Sequence, residues 1–137
     1  MSIEYAVIQM IGTGTAAGAR IHPLLAPIDV ASPYLVYGRR STRRDQTFDG
    51  DGGVAEAVVR LTCWATTYVA AVALAKSIRP LIVKGDVLAN GGTYEVYEAS
   101  VIDEGDSLDA GDGEEQSLRY GRWIDCRLVW CEETEPA

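Results

Sequence analysis

The chain has 137 residues, 47% of them apolar, enough for one domain with a real core and short for two. A formal charge of -8 argues against a protein that grips nucleic acid, because phosphate contacts need a basic surface. No basic segment leads into an apolar one at the start, and no unbroken apolar run reaches the ~18–20 residues of a bilayer span, so a soluble, unprocessed chain with no membrane partner is expected.

In chain order, Ile3, Val7, Met10 and Ile11 fall at helical spacing with Ser2 as a possible cap, which predicts a short amphipathic helix over Ile3 to Ile11. Gly12, Gly14 and Gly18 end it, and a connector holds Arg20 to Pro27. After Ser32 and Pro33, the aromatic and β-branched run Tyr34 to Arg40 reads as a first strand. Ser41 to Gly53 has turn composition and links it to a second strand, Val54 to Ala65, in which Val59, Leu61 and Cys63 alternate with Arg60, Thr62 and Trp64. Thr66 and Thr67 can cap a helix whose Ala71, Leu74, Ala75, Ile78 and Ile82 form one apolar stripe, with Lys76 and Ser77 facing away and Pro80 near its end.

Gly85 stops that segment, and Asn90, Gly91 and Gly92 turn the chain into a third strand, Thr93 to Ile102. An acidic loop from Asp103 to Gln116 leads to a fourth, Ser117 to Cys131, and Glu132 to Ala137 reads as a flexible tail. The expected fold is a single α+β domain over residues 1–137: a mainly antiparallel four-stranded sheet with two helices packed against it.

Chemistry-bearing motifs are scarce. Gly12, Gly14 and Gly18 follow a helix, whereas a dinucleotide fingerprint follows a strand. Asp49 and Asp51 resemble the start of a calcium loop, but Arg60 stands where the bidentate Glu belongs, so a hairpin turn is the better reading. His22 is the sole histidine, and nothing near it supplies a nucleophile or an orienting acid. Cys63, Cys126 and Cys131 form no CxxC pair and are odd in number, which favours reduced thiols over a disulfide framework or a zinc site. No catalytic residue, cofactor or metal is expected.

Charge clusters are the more informative feature. Arg39, Arg40, Arg43 and Arg44 sit near the first hairpin, and Asp103, Glu104, Asp106 and Asp109 open the acidic segment. Each has a plain reading as solvated surface. Taken together, opposite charges on separate projections are what a head-to-tail contact between copies can use, so these eight are the candidate interface residues.

Ala19 to Glu132 resembles the phage tail-completion family of head-to-tail joining and tail-terminator proteins. The features that carry the likeness are Arg20-Ile21-His22-Pro23 ahead of Ser32-Pro33-Tyr34-Leu35-Val36-Tyr37, then Val59-Arg60-Leu61-Thr62-Cys63-Trp64-Ala65 running into a helix, and a closing strand around Cys126-Arg127-Leu128-Val129-Trp130. The resemblance implies a non-enzymatic virion subunit, assembled in the host cytoplasm into a ring, typically hexameric, at the tail and neck of the particle. Its implied neighbours are the major tail tube protein and a head connector or head-completion protein, with DNA passing through unbound. In such a ring Asp112, Glu114 and Glu115 would face the channel, where like charge keeps DNA off the wall. Two other readings stay open: an assembly factor absent from the virion, and a small-ligand-binding or enzymatic α+β domain walled by the aromatic strands Tyr34 to Tyr37 and Tyr94 to Tyr97.

Overall fold

A computed structural model describes residues 3–27, 30–47, 50–89, 92–109 and 118–131. The chain runs α1 (Ile3–Ile11), β1 (Ile21–Pro23), β2 (Tyr34–Thr47), β3 (Gly50–Ala65), α2 (Tyr68–Ile78), β4 (Gly85–Ala89), β5 (Gly92–Asp109) and β6 (Arg119–Cys131). The strands form one six-stranded sheet in the order β1-β2-β3-β6-β5-β4. Its pairs are antiparallel except β1·β2, which is parallel.

The expectation of a four-stranded, mainly antiparallel sheet is therefore corrected to a mixed, curled six-stranded sheet, a half-barrel with two short helices. The two added strands escape periodicity for physical reasons. β1 is three residues ending in proline, too short to alternate, and is a strand only because its main chain reaches β2, with Leu35 N–H donating to the Arg20 carbonyl at 2.9 Å. β4 has five residues and a mostly exposed burial pattern, so it shows no apolar alternation. Two segments expected as turn and loop are also strand: β2 continues through Ser41–Thr47, and β5 through Asp103–Asp109. The flexible tail expected over Glu132 to Ala137, the cap Ser2, and the turn residues Asp49, Asn90 and Gly91 lie outside the described residues.

The centre of the sheet is the β3·β6 ladder, twelve pairs from Val54↔Cys131 to Ala65↔Tyr120 without a register shift. On one face Ala57, Val59, Leu61 and Cys63 of β3 lie beside Leu128, Cys126 and Ile124 of β6, all buried. α2 packs on that face through Ala71, Leu74, Ala75 and Ile78. Thr67 caps it, its side-chain oxygen accepting from Ala70 N–H at 3.2 Å, and the helix ends at Ile78, where Arg79–Leu81 tightens into a 3-10 turn around Pro80.

α1 explains the curl. It buries Ile3, Ala6, Val7 and Ile11 and touches both β2 and β4, strands near opposite edges of the sheet, so the sheet wraps around it. Gly12, at φ +65°, lets the chain leave the helix in a conformation that costs other residues more.

The opposite face carries no helix. There Trp123 covers Gly105 so closely that a Cβ on that glycine would stand 2.3 Å from the indole, and Trp64 covers Gly121 in the same way at 2.8 Å. Replacing Leu61 or Leu74, 0% and 2% exposed, by Ala should lower unfolding stability by roughly 2–5 kcal/mol. Urea melts measure it, and a loss under about 0.5 kcal/mol, the size of a surface change, would place these side chains outside the core.

Candidate subunit interface

The bare face of the central ladder holds an ion-pair cluster. Arg60 and Asp125 are directly opposite in the β3·β6 register. Arg60 donates from Nε to Oδ1 at 2.8 Å and from its second terminal nitrogen to Oδ2 at 3.1 Å, a fork-to-fork pair, while its guanidinium lies 3.9 Å from the centre of the Trp123 ring. Arg40 joins from β2. A register shift between Arg39 and Ser41 makes Arg40 a bulged residue, and it donates to Asp125 Oδ2 at 3.2 Å. Burial pushes the pKa of Asp125 up, but hydrogen bonds and charge from Arg60 and Arg40 outweigh it and hold the carboxyl below its ordinary value.

Arg39 points to the other face. It forks onto Glu4 of α1 at 2.6 and 3.0 Å and donates to Thr42 Oγ1 at 3.1 Å. Arg43 is exposed and lies opposite Glu56, whose carboxyl is held low chiefly by a hydrogen bond from Arg127. Arg127 forks onto Glu56 at 2.8 and 3.1 Å and reaches Glu98 at 2.6 Å. Arg44 lies on β2, and its side chain is outside the described residues.

Of the acidic candidates, Glu104 and Asp106 share the helix-bearing face with a basic cluster. Arg122 pairs with Glu104 and, at 2.6 Å, with Asp106; Arg79 reaches Glu104 at 3.2 Å. Tyr68 at the start of α2 donates to Asp106 at 3.0 Å and accepts from Arg122 at 2.7 Å. The hydrogen bond from Arg122 to Glu104 is the main reason the Arg122 pKa is raised. Asp103 is exposed opposite Asp125, and accepts from Glu104 N–H at 2.9 Å. Asp109 is exposed opposite Arg119. Asp112, Glu114 and Glu115 lie outside the described residues.

The arginine and acidic groups are thus not brought together within one chain. β2 and β5 are separated by β3 and β6, and the ends of the two hairpins leave the sheet in opposite directions. Sequence reading missed Asp125, Arg60, Arg122 and Tyr68 as members of these clusters. Arg60 and Asp125 each stood at an outward position of an alternating strand, and only the β3·β6 register pairs them.

Burial pushes the Cys63 and Cys126 thiols up to about 12, which keeps them protonated. Among the described residues no group of three or more His, Cys, Asp or Glu is arranged to hold a metal. Of the aromatic residues considered as a pocket wall, Tyr94 is fully buried in the core while Tyr97 is exposed at a bulge.

The Asp125 cluster has a pH signature. A carboxyl with a lowered folded pKa contributes stability that is present above its unfolded pKa of ~3.9 and is lost as pH falls through the folded value. Asp125→Asn should cost about 1–3 kcal/mol at pH 7 and flatten the acid limb of the stability profile below about pH 4. Melts of both proteins across that range decide it; parallel profiles would mean that another acid sets the acid limb.

Two comparisons bear on what such a molecule is. The solved virion of a native gene transfer agent particle contains a chain with the same fold: TM-score 0.55, 15% identity, covering 90% of this chain and 84% of that one. No curated protein sequence matches the chain. Residues 8–125 match the model of the family described as tail completion protein gp17, a span that holds the last turn of α1, all of α2, five of the six strands in full and the ion-pair cluster around Asp125. The chain belongs to that family and is a structural tail-completion protein of a bacteriophage virion.

Proposed function

We propose that the chain works as a ring, hexameric as its family resemblance implies, at the top of the phage tail, where it caps the tube of the major tail protein and joins it to the head connector or head-completion protein. It catalyses nothing and passes DNA without holding it. The observation that carries this reading is the family match over residues 8–125. The disposition of the hairpins supports it: a closed ring needs a heterologous contact, in which two different patches of each subunit meet, and this chain carries its arginine-rich and acid-rich strands apart in the sheet.

The contact proposed sets Arg39, Arg40, Arg43 and Arg44 of one subunit toward Asp103, Glu104, Asp106 and Asp109 of the next. Arg39 and Arg40 already have partners in their own chain, so the exposed Arg43 is the end of the patch most open to a neighbour. Exposed pairs contribute only about 0–1 kcal/mol each and weaken in salt, so they set register while apolar contacts hold the ring. The segment with Asp112, Glu114 and Glu115, between β5 and β6, is proposed to face the channel.

A phage lacking this chain should accumulate filled heads and tails that do not join. A normal yield of joined, infective particles would overturn the tail-joining reading. For the charge contact, Arg43→Glu with Arg44→Glu should raise the concentration needed for assembly about tenfold at low salt, worth about 1.4 kcal/mol. Asp103→Arg with Asp106→Arg in the same chain should restore it. Sedimentation at low and high salt reads both effects, and unchanged assembly of the arginine variant removes the contact.

A further inference from the structure

The sheet has unusually short outer strands. β1 flanks β2 only at Leu35–Tyr37, and β4 flanks β5 only at Gly92–Val96. Among the described residues no strand lies beside β2 on its outer side after Tyr37, or beside β5 on its outer side after Val96. The hydrogen-bonding side of β2 is visible where β1 ends: Leu35 N–H donates outward to the Arg20 carbonyl, and the Tyr37 carbonyl accepts outward from Leu24 N–H at 2.8 Å. Alternate residues of β2 therefore aim main-chain groups at this edge, and the strand continues ten residues past Tyr37 to Thr47. Open edges of such length are templates for another strand.

The two edges suit each other. Three successive antiparallel pairings, β2·β3, β3·β6 and β6·β5, leave β2 and β5 running in opposite directions. Rotation about a ring axis to which the strands are tilted keeps each strand's sense along that axis, so β2 of one copy meets β5 of the next antiparallel. β1 and β4 sit at opposite ends of the sheet, as the registers Tyr37↔Leu61↔Ile124↔Glu104 and Arg44↔Ala55↔Trp130↔Val96 show. A slide of one copy along the strands clears both outer strands, and strand tilt within a ring supplies such a slide.

The same slide brings Ser41–Thr47, with Arg43 and Arg44, level with Asp103–Asp109, which carries four acids and no base. Both edges also expose apolar side chains. Leu24 and Leu25 are 79% and 84% exposed beside β2, and Ile102 and Leu108 are 52% and 62% exposed on β5. Leu24 is held there at φ +59°, a left-handed conformation that is unfavourable for leucine.

We propose that consecutive copies of this chain join edge to edge, the open Ser41–Thr47 stretch of β2 in one copy pairing antiparallel, through main-chain hydrogen bonds, with the open Asp103–Asp109 stretch of β5 in the next. The inference rests on the ring reading above and adds to it a continuous sheet running between subunits. Hydrogen exchange of the full chain, read by mass spectrometry at concentrations below and above assembly, tests it. Peptides over both stretches should exchange at least about tenfold more slowly in the assembled form. An assembled ring in which both stretches exchange at the monomer rate overturns strand pairing and leaves the ring reading standing, whereas a chain that remains monomeric at every concentration sinks both.

Discussion

Everything else in this molecule hangs on the unbroken β3·β6 ladder. Its period of two sends Leu61, Val59, Ile124 and Cys126 to one face and Arg60 and Asp125 to the other, and a one-residue slip would exchange them. Such a slip would bury an arginine and an aspartate under α2 and expose the core. The register is therefore specified twice, by apolar burial on one side and by the forked Arg60–Asp125 pair on the other. β2 and β5 then add to a frame already fixed, and both carry bulges where the central ladder has none. Those bulges put Arg40 beside Asp125 and turn Tyr97 and Ile102 out to solvent.

The curl follows from what the strands must cover. α2 lies over β3 and β6, while α1 spans from β2 to β4, so the flanks of the sheet bend toward the helices until Tyr94, Val96 and Leu35 reach the same core as Leu61. The price of that arrangement is a second face with no helix upon it. The sequence covers that face locally, with tryptophans laid over cross-strand glycines and arginines forked onto carboxylates, rather than with another layer.

This division explains what could be read from the sequence and what could not. Both helices, the core positions Leu61 and Leu74, and the first hairpin follow from period and turn chemistry, which are local properties. β1 and β4 are defined by their partners, and no local pattern marks them. Ser41–Arg44 and Asp103–Asp109 read as loops because charge outweighs apolar residues there, yet they are strands, and on β5 Glu104 and Asp106 meet Arg122 across the ladder. The candidate charges were legible as residue types; their partners were not, since each partner is set by register and by a bulge.

The distribution of cations also bears on the channel proposed above. Net charge alone says that the chain repels DNA on average, but a ring wall could still catch phosphate on a few free arginines. Here Arg39, Arg40, Arg60, Arg79, Arg122 and Arg127 each sit within 3.2 Å of a carboxylate of their own chain. A phosphate would have to displace a preorganised fork to bind any of them, most of all at Asp125, where two arginines and an aromatic face hold one another in place. In the proposed ring, internal pairing does more than stabilise the sheet: it removes these six arginines from the set that could grip passing DNA, while leaving them in place to fix the register on which the subunit's edges depend.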